Sequence, residues 1–147
     1  MRRLTPDEVF THSLHAASLR TAALIVVARH FGTLAEGQLL LTGAPSGSMD
    51  TNMVFGRARL NWQEMNEHQR KIASLAEAIA NYIEDDPDAT GMIVLDYLDT
   101  DGLEGLKAKM VGTYVVADLD ECIALLRKLW TSVRAEAESL ERDFNGV

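Results

Sequence analysis

The stretch "MVFGRARLNWQEMNEHQRKIASLAEAIANYIEDDPD", residues 53–88, decides the fold because it supports two readings. Val54, Ala58, Asn61, Met65, His68, Ile72, Leu75, Ile79 and Tyr82 recur at steps of four and three, the spacing of one helix face. Read that way, residues 51–84 are one continuous helix. In the other reading "MVFGRARL" is a strand ending at Leu60, Asn61 caps a fresh helix with Glu64 as its capping-box partner, and Leu60 staples onto Met65. Both readings contain a helix from about Trp62 to Glu84, stopped by "DDPD".

Two further segments carry the same spacing. "TPDEVF" opens the first, with Thr5 as cap, Pro6 at the first helical position and Glu8 closing the box. Phe10, Leu14, Ala17, Thr21, Leu24, Ala28 and Phe31 then form a seam, and Gly32 offers a stop. A parallel seam of Val9, His12, Ala16, Leu19, Ala23, Val26 and His30 widens the apolar face, which predicts more than one neighbour for this helix. The last segment, capped by Asp118 or Asp120, aligns Leu119, Ile123, Leu126, Trp130, Val133, Ala137, Leu140 and Phe144.

Three such seams must be buried against one another, so the expected fold is mainly α, a single domain of 147 residues built as a bundle of three long amphipathic helices. Residues 89–117 form a small insertion with two readings. "GMIVLDYL" and "VGTYVV" have strand-like content, and "DTDG" between them suits a hairpin turn, giving an α+β alternative. Leu103, Leu106, Met110, Tyr114 and Ala117 fit short helices instead.

Composition excludes whole classes. The chain is 47% hydrophobic and 24% charged, which is globular rather than disordered. The longest apolar run, Ala22–Ala28, is far short of the ~20 residues that span a bilayer, so no membrane association is expected. Asp7, Glu8, His12 and His15 interrupt any signal-peptide pattern, and one cysteine, Cys122, forms no internal disulfide; a cytoplasmic location is the expectation.

The net charge of −8 is localised. Residues 1–83 carry seven acids and eight bases, residues 84–121 carry eleven acids and two bases, and residues 122–147 carry four of each. An acidic field of this kind repels phosphate backbones and attracts basic protein surfaces, so direct nucleic-acid binding is not expected. The candidate partner-binding residues are Glu84, Asp85, Asp86, Asp88, Asp96, Asp99, Asp101 and Glu104.

Catalytic signatures fail on their own requirements. "LLLTGAPSGSMDT", residues 39–51, resembles a phosphate loop until Gly47, after which Ser48, Met49 and Asp50 stand where lysine and a hydroxyl are needed. Gly43, Pro45 and Gly47 read as a connection between the first two helical segments. Asp99, Asp101 and Gly102 match the middle of a calcium loop, but Tyr97 and Ala108 occupy its first and last ligand positions. Glu64 and Glu67 would lie about 30 Å along one helix from Glu84, Asp85, Asp86 and Asp88, too far to share a metal as in helical pyrophosphohydrolases.

One metal reading is an alternative: Glu8 with His12 and Glu64 with His68, each one turn apart and near the seams, suggest a metalloenzyme site in the bundle. Such sites use a spacing of three and further inward acids, which these segments lack. The expectation is therefore a non-enzymatic interaction module without cofactor. It would self-associate through seams too broad for three helices to cover, with Arg57, Arg59, Arg70 and Lys71 answering the acidity across a homodimer. Its acidic surface at 84–121 would meet a basic protein partner, as an inhibitor occupying that partner's nucleic-acid site does.

Overall fold

A computed structural model describes residues 6–41, 54–100 and 113–145, with the backbone alone for 6–12, 100 and 145. The described chain is mostly helical, with one small antiparallel sheet. Its elements are α1 (Pro6–His30), β1 (Ala35–Leu41), β2 (Val54–Leu60), a 3-10 turn (Trp62–Glu64), α2 (Glu67–Asp85), α3 (Gly91–Thr100) and α4 (Val116–Asn145).

The hydrophobic core is centred on α1. Every residue from Thr21 to Ala28 is buried, and so are Ala17, Ser18 and Leu19. A helix apolar all round needs cover on every side. α2 and α4 pack on α1 and on each other, and the β1–β2 hairpin packs on α1 as well. The second seam is thus buried inside the chain at Leu19, Ala23 and Val26, while His30 is exposed. The breadth that pointed to self-association through the seams is taken up by the hairpin.

α1 ends as its sequence suggests. Gly32 adopts φ +90°, the Thr33 amide donates to the Ala28 carbonyl at 3.0 Å, and the Gly32 amide donates to Arg29 at 2.9 Å. This is a Schellman arrangement with glycine in the left-handed position. The chain then turns directly into β1, whose Cα partners run from Ala35 opposite Leu60 to Leu41 opposite Val54.

The strand reading of "VFGRARL" is therefore the one found, and the continuous helix over residues 51–84 is corrected. The misleading spacing has a simple cause: positions i and i+4, such as Val54 and Ala58, share a face in a strand as well as in a helix. Asn61 does cap, but it caps the 3-10 turn, accepting the Gln63 amide at 3.1 Å and donating to Glu64 at 3.3 Å. The helix itself starts at Glu67, behind a complete capping box in which Asn66 and Gln69 satisfy each other's amides. Met65, buried between turn and helix, anchors the break.

Residues 91–100 correct the hairpin reading of the insertion, because "GMIVLDYLDT" is α3. Val94 and Leu98, four apart, are buried against α4. The helix start is fixed by Thr90, whose hydroxyl accepts the Ile93 amide, and by Asp120 of α4, whose carboxylate accepts the Gly91 amide at 2.8 Å. Tertiary packing and capping override the β-branched content. Tyr97 leans on Tyr82 with ring centroids 4.5 Å apart, tying α3 to the end of α2. The proposed turn at Asp101 and Gly102 lies outside the described residues, as do Thr5, Gly43, Pro45, Gly47, Ser48, Met49, Asp50 and residues 103–112. Of the phosphate-loop candidate, Leu39–Leu41 belong to β1, and residues 42–51, which precede β2 in the chain rather than a helix, lie outside the described residues.

α4 carries its seam as expected: Leu119, Ile123, Leu126, Val133, Ala137 and Leu140 are buried, with Trp130 and Phe144 half-buried against them. Asp118 reaches back to the Val115 amide at 2.9 Å, half of a capping box. Polar ties fix the helices in register. His15 Nε2 lies 2.6 Å from Glu84 of α2, Ser18 donates to Glu141 of α4 at 2.8 Å, and His68 lies 2.8 Å from Glu121 between α2 and α4. Arg29 joins α1 to both Glu136 of α4 and the Ala35 carbonyl of β1.

Candidate interaction surface

The acidic segment resolves into a turn and a short helix with distinct roles for its carboxylates. α2 ends at Asp85, and the chain reverses through Asp86, Pro87, Asp88 and Ala89 into α3. Arg127 of α4 holds this turn from beneath. Its Nε donates to the Pro87 carbonyl at 2.9 Å, and its Nη2 donates to both Pro87 and Ala89, the latter at 2.8 Å. A planar guanidinium satisfies two adjacent carbonyls at once, which a lysine cannot do in that geometry. Ala89 is buried, so the turn is closed against the core while Asp85 and Asp88 stay exposed and Asp86 is half-buried.

Asp85, Asp86, Asp88 and Asp99 have no ion-pair or hydrogen-bond partner for their carboxylates among the described residues. Elsewhere many acids are matched: Glu36 with Arg59, Asp118 with Lys71, Glu121 with His68, Glu136 with Arg29 and Glu141 with Ser18. Glu84 belongs with the matched set, since it is turned to His15 rather than outward. Of the eight sequence candidates, Asp85 ends α2, Asp86 and Asp88 lie on the turn, and Asp96 and Asp99 lie on α3; Asp96 is exposed, and Asp101 and Glu104 lie outside the described residues.

The same surface holds apolar side chains. Met92 is 65% exposed and Ile93 45% exposed, both in the first turn of α3. Met92, Asp96 and Asp99 share one helix face, so a flexible thioether sits at the head of an acidic stripe. Tyr114 adjoins this end: burial raises its phenol above the usual range, and the charge of Asp99 raises it further.

The metal alternative is corrected in one of its pairs. Glu64 is in the 3-10 turn and His68 in α2, separated by the break at Met65 and Asn66, so they are not one turn apart on one helix. Glu64 accepts from Asn61, and His68 faces Glu121 on the surface rather than the interior. Glu8 and His12 are in α1, where only the backbone is described. Among the described residues no group of three or more His, Cys, Asp or Glu is placed to hold a metal ion. Cys122 is fully buried and donates to the Ile72 carbonyl at 3.5 Å; burial, aided by Glu121, pushes its thiol far above the usual range. Such a thiol is packing, not a nucleophile.

Arg127 was not singled out by sequence, and Asp120 was read only as a cap of its own helix, not as a partner of Gly91. The residues they hold are 29 to 40 positions away, beyond any local pattern. No helix among the described residues is long and apolar enough to cross a membrane. No protein family and no curated protein matches the chain.

Proposed function

We propose that the chain is a non-enzymatic interaction module that presents the turn and outer face of α3 to a basic protein surface, in the manner of an inhibitor that covers a nucleic-acid site. One observation carries the reading: Asp85, Asp86, Asp88 and Asp99, which have no counter-charge among the described residues, lie at and beyond a turn clamped by Arg127, near exposed Met92 and Ile93. An acidic rim around an apolar anchor is the composition that steers a cationic partner and then holds it. Rigid mounting lowers the ordering cost of binding. The three long helices serve as the bundle-like support for this face, and self-association belongs to the same reading through surface contacts rather than through the seams.

The test uses a labelled amphipathic peptide rich in lysine and leucine, followed by fluorescence anisotropy at low and high salt. Replacing Asp85, Asp86, Asp88 and Asp99 with Asn removes four charges worth ~0.5 kcal/mol each at an exposed surface, about 2 kcal/mol together. That corresponds to about 30-fold weaker binding. Met92→Ala weakens binding at both salt concentrations, whereas the charge effect shrinks as salt shortens the screening length. Equal affinity for the wild-type chain and the four-Asn variant overturns the proposal.

A further inference from the structure

The outward side of the hairpin carries a second, complementary surface. In β1 and β2 the inward positions are Ala35 and Leu39, with Val54, and Gly37 and Gly56 lie close against α1. Alternation then places Glu36, Gln38 and Leu40 of β1 and Phe55, Arg57 and Arg59 of β2 on the outer face. The register sets Leu40 opposite Phe55, Gln38 opposite Arg57 and Glu36 opposite Arg59. Phe55 is 41% exposed. Arg59 reaches Glu36 at 3.5 Å with both side chains largely in solvent, and Arg57 has no carboxylate partner among the described residues. A depression of about 230 Å³ is lined by Glu36, Gly37, Gln38, Arg57 and Arg59.

Two stripes on one chain thus have the same order with opposite charge. Phe55, Arg57 and Arg59 run apolar, basic, basic at ~7 Å per step along a strand. Met92, Asp96 and Asp99 run apolar, acidic, acidic at ~4.5–6 Å per step along a helix. The hairpin packs on α1 and, through β1, on α4, whereas α3 packs on the other end of the assembly through α4 and Tyr82. A second copy brings the stripes together.

We infer that the outer face of the hairpin docks the acidic face of α3 of a second copy of this chain, joining copies head to tail. The inference rests on the proposed reading of the acidic face as a binding surface. Because two different patches meet, the contact is heterologous and builds chains or rings. The hairpin then occupies the surface that a basic partner needs, so assembly and partner binding compete.

Sedimentation velocity over a concentration series is the test. The wild-type protein should exceed its monomer mass of 16.2 kDa at low salt and return to it at high salt. R57E/R59E and D88K/D99K should each remain monomeric, with circular dichroism confirming that both fold. Mixing the two variants in equal amounts should restore assembly, since each then offers the charge the other needs. A wild-type chain that is monomeric at every concentration in low salt overturns the inference, as does a folded mixture that fails to assemble. If that monomeric chain still binds the lysine-rich peptide, the proposed function stands alone; loss of both overturns both.

Discussion

Gly56→Ala probes the least replaceable contact in the fold, the seating of the hairpin on α1. A Cβ at position 56 would sit 1.6 Å from Thr21 Oγ1 and 2.8 Å from Thr21 Cβ. Rotation of the hydroxyl does not clear the second contact, because Cβ is fixed to the buried helix and the Thr21 methyl would stand at 3.2 Å. The hairpin must therefore lift from α1, loosening the cover over Thr21 and Ile25. Overpacking of this kind costs ~1–3 kcal/mol, and a backbone-fixed obstacle puts Gly56→Ala at about 2.5 kcal/mol. With a urea slope of ~1.5 kcal/mol/M for a chain of this size, the unfolding midpoint should fall by about 1.7 M. Thr21→Gly in the Gly56→Ala background should recover more than 1 kcal/mol relative to its effect in the wild-type chain, a coupling that a double-mutant cycle isolates. Gly37→Ala is the internal comparison: its nearest neighbour is the flexible Cδ1 of Ile25 at 2.7 Å, so its cost should be smaller. A midpoint unchanged by Gly56→Ala, or a cycle without coupling to Thr21, would refute the close seating of the sheet on the helix.

Thr33 Oγ1 is buried with no hydrogen-bond partner among the described residues, so Thr33→Val should leave stability unchanged or raise it by ~1 kcal/mol in thermal unfolding. Arg127→Ala should lower stability by ~1–2 kcal/mol and speed hydrogen exchange at the turn of residues 86–90; Arg127→Lys should not restore either, since one ammonium cannot span the two carbonyls. The Cys122 thiol stays protonated in the folded chain but ionises near pH 9.0 once unfolded, so its contribution to stability is complete below pH 9 and is lost progressively above it. Denaturation at pH 10.5 should show about 2 kcal/mol of that loss, and Cys122→Ala should flatten the slope between the two pH values. Tyr114, raised by burial and by Asp99, adds a further decline above pH 10.

The long helices were legible because their periodicity extends over many turns: the buried set Leu119, Ile123, Leu126, Val133 and Leu140 is the set that the spacing selects. The hairpin was legible only in its second strand, and there as one of two readings. "AEGQLLL" has neither clear alternation nor β-branched residues, and its partner "VFGRARL" satisfies the helical spacing by coincidence of even steps. What makes these segments strands is the apolar side of α1 they cover, with Gly37 and Gly56 where the backbones crowd Ile25 and Thr21. For α3 the sequence left strands and short helices open, since its Ile93 and Val94 suggest a strand while Asp120, 29 residues on from Gly91, fixes a helix start. Within the acidic segment, charge was legible but pairing was not: sequence cannot show that Glu84 is taken up by His15 while Asp85, one residue later, has no partner for its carboxylate among the described residues.

The acidic face is tested most directly by mapping amide and methyl chemical shifts in an isotope-labelled chain titrated with the lysine-rich peptide. Saturable shifts should be confined to Asp85–Asp99, with the Met92 and Ile93 methyls among the largest and the α1 core unmoved. Shifts centred on other residues, or none at peptide concentrations well above the protein's, would contradict this expectation.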